Sequence, residues 1–114
     1  METTRAVKAL AALAHDSRLA IYRLLVRQGP QGMNASAVGD RLGIAPATLS
    51  FHFKELSNAG LLKARAQGRF VIYSVDYQAM NALLKFLTDN CCGGNPCTSV
   101  TPSKIPFASA ESYE

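Results

Sequence analysis

The stretch Asn34–Leu56, NASAVGDRLGIAPATLSFHFKEL, decides the reading of this chain. Asn34 or Ser36 can cap a short helix, because each sets a side-chain oxygen over amides that have no intrahelical partner. That helix runs to Leu42, and Gly43 stops it, since glycine takes the left-handed geometry a helix end needs. Ile44-Ala45 make a tight connection. Pro46 then opens a second helix at a first-turn position, where its missing N–H costs nothing. Leu49, Phe53 and Leu56 recur at i, i+4 and i+7 on one face, and Asn58-Ala59-Gly60 end the helix. Two short helices joined by a three- or four-residue glycine turn form a helix-turn-helix.

The flanks extend the pattern. Val7, Leu10, Ala11 and Ala14 fall at helical spacing and predict a first helix over about Thr4–Ala14. Asp16 is the candidate N-cap of the next helix. Its apolar stripe runs from Leu19 to Val26, and Gln28-Gly29-Pro30 end it. Gly29–Met33 read as a loop. Beyond the helix-turn-helix the period becomes two: Phe70, Ile72 and Ser74 alternate with Val71, Tyr73 and Val75, and Gln67-Gly68 supply a turn. This is a β-hairpin of the wing type. Asp76 caps a last helix whose apolar face is Met80, Leu83, Leu84 and Leu87. The expected fold is mainly α (α+β), a winged helix-turn-helix of order α-α-α-α-β-β-α. Residues 1–97 make the domain, and residues 98–114, rich in Ser, Thr, Pro and Ala without periodicity, make a disordered tail.

A chain of 114 residues builds one domain with a small core, and 48% hydrophobic content fits a globular protein. No run approaches the ~18 apolar residues of a membrane span, and the N-terminus lacks a signal-peptide pattern. The expectation is a cytoplasmic protein with no membrane partner. The formal net charge is +4. Arg41, Lys54, Lys63, Arg65 and Arg69 face a single acid, Glu55, within positions 41–69, so that stretch carries the whole of it. Double-stranded DNA is the partner this suggests. The second helix of the pair would enter the major groove with its N-terminal half at the bases. Thr48, Ser50 and His52 are short and polar there, and Lys54 lies further on. Arg65, Gln67 and Arg69 at the hairpin tip would reach phosphates or the adjacent minor groove.

Ala37-Val38-Gly39-Asp40-Arg41-Leu42-Gly43-Ile44 lead into Ala47-Thr48-Leu49-Ser50-Phe51-His52-Phe53-Lys54-Glu55-Leu56. Ala59-Gly60-Leu61-Leu62 and Gln67-Gly68-Arg69-Phe70-Val71-Ile72-Tyr73 follow. Over about residues 4–90 this resembles the ArsR/SmtB family of winged-helix, metal-responsive bacterial repressors. The resemblance implies a homodimer built from the first and last helices and an inverted-repeat operator. It also implies repression without ion and release when an ion binds. It places Phe51 with Thr48, Ser50, His52 and Lys54 in the DNA-reading segment. Independently, both terminal helices are more apolar than a core of 90 residues needs, which also points to dimerisation.

All three cysteines sit in seven residues, Cys91-Cys92-Gly93-Gly94-Asn95-Pro96-Cys97. Thiolates select soft ions. On a continuing helix adjacent side chains diverge by about 100°, so the helix must end near Asn90 for Cys91 and Cys92 to face one ion. Gly93-Gly94 permit a reversal and Asn95-Pro96 return Cys97. Structural zinc wants four ligands, and only His15 and His52 could add one. Three thiolates match the pyramidal coordination of As(III) or Sb(III). Arsenic-responsive members of the family use three-cysteine sites, which agrees with that count. This chain lacks the cysteines such members often carry near positions 37 and 39. It also lacks the Asp/His/Glu set on the last helix that zinc and nickel sensors have. Cd(II) or Pb(II) sensing stays open, as does thiol-redox or persulfide sensing through a Cys91–Cys97 or Cys92–Cys97 bond. A Cys91–Cys92 bond is disfavoured, because neighbouring Cα atoms lie ~3.8 Å apart and disulfides usually need about 4.4–6.8 Å. No organic cofactor is expected. Nor is an enzyme, because Gly93-Gly94 follow a helix instead of leading into one and offer no amide cradle for an oxyanion.

Overall fold

The computed structural model describes residues 1–90 and Gly93. The elements are α1 (Thr3–Leu13), α2 (Asp16–Gln28), β1 (Met33–Asn34), α3 (Ala35–Leu42), α4 (Pro46–Asn58), β2 (Leu62–Gln67), β3 (Phe70–Val75) and α5 (Tyr77–Thr88). The described residues divide into two units at Leu83/Leu84. The expected boundary at 97/98 lies outside the described residues. Among the described residues no helix is long and apolar enough to cross a membrane.

The winged helix-turn-helix is as expected, with one strand more. Met33 and Asn34 pair with Tyr73 and Ile72, so the hairpin becomes a three-stranded antiparallel sheet of order β1-β3-β2. Two residues are too short to show a period, which is why the segment reads as loop. Asn34 serves both elements: its backbone ends β1, and its Oδ1 accepts from the Ala37 amide at 3.0 Å to cap α3. Gly43 turns the chain at φ 68°, and Ile44-Ala45 deliver Pro46 to the start of α4.

The core gathers Ile21 and Leu25 of α2, Val38 of α3, Phe53 and Leu56 of α4, and Leu61, all with side chains fully buried. Phe53 stacks on Tyr73 with ring centroids 3.9 Å apart and planes 3° from parallel, which ties α4 to the base of the wing. Burial in the wing follows distance from the body, not the expected alternation. Leu62, Ser74 and Val75 at the base are buried, while Phe70 and Val71 near the tip are 54% and 44% exposed. A two-stranded ribbon that projects from a domain has solvent on both faces, so its period of two no longer sorts inside from outside.

Packing settles the buried face of α1, and the cap of α2 needs correction. The buried face of α1 is Ala6, Ala9 and Ala12, whereas Val7 and Leu10 are 58% and 42% exposed. Alanines let α1 approach its neighbours closely, so the bulky stripe is left outside. The α2 N-cap is His15, not Asp16: the His15 Nδ1 accepts from the Ser17 amide at 3.1 Å. Asp16 becomes the first residue of the helix, where a carboxylate still suits the positive end of the helix dipole. Asp76 does cap α5, its Oδ1 accepting from the Ala79 amide at 3.1 Å. The Tyr77 hydroxyl donates to the Val26 carbonyl at 3.2 Å.

Candidate nucleic-acid interface

Helix α4 buries Leu49, His52, Phe53 and Leu56. This leaves Thr48, Ser50, Phe51 and Lys54 on its exposed side. Ala45 supplies no side-chain cap, so the first amides of α4 keep their capacity to meet an anion. In the wing, Gly68 and Arg69 form the two-residue turn between Gln67 and Phe70, with Gly68 at φ 63°. Arg69 is therefore at the tip. Arg65 is not, because it pairs with Ile72 in mid-strand. Its Nη2 donates to the Gln31 carbonyl at 3.0 Å and approaches Gln67 Oε1 at 3.5 Å. Pro46 and Ser50 of α4 line one open cleft with Val71 and Tyr73 of β3. The N-terminal half of the helix and one face of the wing thus flank the same depression.

His52 is the exception among the sequence-selected residues. Its ring is 4% exposed and lies 4.7 Å from the His15 ring. Arg18 Nη1 sits 3.3 Å from its Nδ1, while Arg18 Nε donates to the Ala12 carbonyl at 2.7 Å. His52 follows Leu49 by three positions, and that spacing puts it on the core side of the helix. A ring held there does not meet a base edge, so its role is to lock α4 to the α1–α2 corner. The sequence held the signal, since His52 shares the register of the apolar face, but its polar character favoured the outward reading.

The cluster has a pH consequence. Burial first, then His15 and Arg18 nearby, lowers the His52 pKa from its ordinary 6.5. The unfolded chain then binds more protons than the folded one in acid. Stability from this site is complete above pH 6.5 and is lost as pH falls below it toward the depressed folded value. We expect the urea midpoint to be lower at pH 5 than at pH 7.5. A His52→Gln variant should flatten that difference, and an unchanged pH slope in the variant would remove His52 as its source.

Gly39 explains why no ligand side chain stands on α3 at that position. A Cβ there would meet Leu49 Cδ2 at 2.9 Å and the Ile44 carbonyl oxygen at 3.1 Å. The close α3–α4 approach takes that space. Among the described residues no group of three or more His, Cys, Asp or Glu side chains is placed to hold a metal ion. Cys91, Cys92 and Cys97 lie outside the described residues. What precedes them is clear: α5 ends at Thr88, and Asn90 takes a left-handed φ of 57°.

The arrangement defines a winged helix-turn-helix protein. Residues 13–65 match a helix-turn-helix domain family. An uncharacterized HTH-type transcriptional regulator of Bacillus subtilis, YceK, is 41% identical over 58 residues, 51% of this chain and 57% of that protein. A cadmium resistance transcriptional regulatory protein CadC homologue of Staphylococcus aureus is 31% identical over 78 residues, 68% of this chain and 63% of that one. The chain thus spans rather more than half the length of these two curated relatives. Among solved structures, the homodimeric winged helix-turn-helix domain Mb0332 of Mycobacterium bovis, described as a possible ArsR-family regulator, superposes with a TM-score of 0.60 at 26% identity. It covers 82% of this chain and 87% of the other. These likenesses support a winged-helix regulator of the ArsR/SmtB type. Both curated relatives are named as transcriptional regulators.

Proposed function

We propose that this protein is a dimeric, DNA-binding transcriptional repressor whose inducer is As(III) or Sb(III), held by Cys91, Cys92 and Cys97. The observation that carries the DNA-binding part is the shared depression flanked by α4 and β3, with exposed Ser50 in its wall. Thr48, Phe51 and Lys54 lie exposed on the same helix. The partner is an inverted-repeat operator. Dimerisation is supported by the homodimeric neighbour and by bulky side chains that the single chain leaves uncovered: Val7 and Leu10 on α1, and Leu84 and Leu87 on α5, at 49% and 53% exposure.

The metalloid part is supported by the donor set. Three soft thiolates suit an ion that completes its shell with three. The left-handed turn at Asn90 meets the requirement that helical geometry end before Cys91. When bound, the ion would supply a covalent tie between three points of the chain end. Cd(II) is the second reading, favoured by the CadC likeness.

The test is fluorescence anisotropy of the reduced protein on a duplex from its own promoter, titrated with arsenite, cadmium or zinc. Release by arsenite alone is the expected result. Release by cadmium alone would exchange the two readings, and release only on oxidation would replace both with a thiol-redox sensor. Binding should weaken steeply with salt, with a log–log slope of about −0.9 per phosphate neutralised. A flat salt response would argue against the basic surface as the contact.

A further inference from the structure

We propose that the wing tip is an apolar wedge for the DNA minor groove, with Phe70 as the wedging side chain and Arg69 as the cation that seats it. This deepens the DNA-binding reading above and rests on it.

Phe70 and Val71 are 54% and 44% exposed, although they are large apolar residues that a solvated ribbon does not need. Their register puts Phe70 opposite Gln67 and Val71 opposite Ala66. Successive residues of a strand point to opposite faces, so each face of the ribbon end carries one large apolar side chain immediately behind the Gly68-Arg69 turn. The base is fixed by the Phe53–Tyr73 stack, so the tip is the end of an anchored lever. No acidic residue occurs from Leu61 to Val75, while Lys63, Arg65 and Arg69 do. An apolar point flanked by cations fits the minor groove, whose sugar walls are apolar and whose rims are phosphates. Apolar side chains that enter there part-unstack a base step and bend the duplex, most readily at flexible pyrimidine–purine steps. The cleft shared by Pro46, Ser50, Val71 and Tyr73 puts the wing beside the N-terminal half of α4, so helix and tip can engage adjoining grooves.

The test uses the full reduced chain and a duplex of about 30 base pairs from its own promoter, with donor and acceptor dyes at the two ends. Wild type should bind and raise energy transfer. Phe70→Ala should melt like wild type, because the ring is exposed, yet bind about ten-fold more weakly, the size of one lost stacking contact, and lose the added transfer. Phe70→Leu should keep most of it. Arg69→Ala should lower the salt slope by about one. A wild-type complex with a straight duplex, or Phe70→Ala that bends DNA like wild type, overturns the wedge and leaves the DNA-binding reading intact. A Phe70→Ala variant with a lowered melting point, matched by Phe70→Leu, would make the ring structural and also overturn the wedge. No binding by wild type would overturn both readings.

Discussion

Gly32→Ala is expected to destabilise the fold by roughly 2–5 kcal/mol, the sum of a left-handed backbone cost of about 1–2 and an overpacking cost of about 1–3. Gly32 sits at φ +74°, and an added Cβ would meet the Tyr73 carbonyl oxygen at 2.5 Å, Ile72 Cγ2 at 3.0 Å and Ser74 Cβ at 3.1 Å. The first of these is backbone of the central strand β3 and cannot rotate away. Relief would require β1 to leave the sheet, with loss of the pairing of Met33 to Tyr73. Gly68→Ala is the matched control. Its φ is +63° but nothing lies within 4 Å of an added Cβ, so only the backbone cost remains. Urea or thermal unfolding of both variants separates the two contributions. Equal losses would mean that β1 yields cheaply and that the sheet does not depend on the close approach.

The second large effect concerns the ion response. Replacing Cys91, Cys92 or Cys97 by serine should leave DNA affinity within about two-fold of wild type and abolish release by arsenite. A hydroxyl does not replace a soft thiolate, and two remaining sulfurs do not complete a three-coordinate shell. In wild type, saturating arsenite should weaken DNA binding by about 5–150-fold, the usual span of coupling between two sites. The coupling is reciprocal, so operator DNA must weaken arsenite binding by the same factor. Both directions can be read from anisotropy and from ultraviolet thiolate–arsenic absorption. Serine variants that lose DNA binding without arsenite would make the cluster structural. A single variant that still responds would show that its cysteine is not a ligand.

Much of this fold was legible because local signals agreed. Asn34, Gly43 and Pro46 each act through their own backbone chemistry, and the Leu49/Phe53/Leu56 spacing marks a buried face whatever packs against it. Asp76 caps α5 for the same local reason. The errors arose where a residue's polarity or size suggested one environment and packing supplied another. His52 looked like a base reader, and the α1–α2 corner took it inward through Arg18 and His15. Val7 and Leu10 mark α1 as a helix by their spacing, but only packing shows that alanines fill its core face and leave these two outside. Arg65 looked like a tip residue until the register placed it opposite Ile72.

The sequence by itself determined the order of helices, the helix-turn-helix, the hairpin and the concentration of basic charge in positions 41–69, because caps, turn residues and periodicity act over a few residues. It also determined the three-thiol count on which the inducer proposal rests. Only the tertiary structure decided which faces those elements bury, that β1 joins the sheet, that Gly39 and Gly32 are close approaches, and that the wing ends in exposed Phe70 and Val71. Those outcomes depend on which surfaces meet across distant parts of the chain, and no local pattern encodes the shape of the partner.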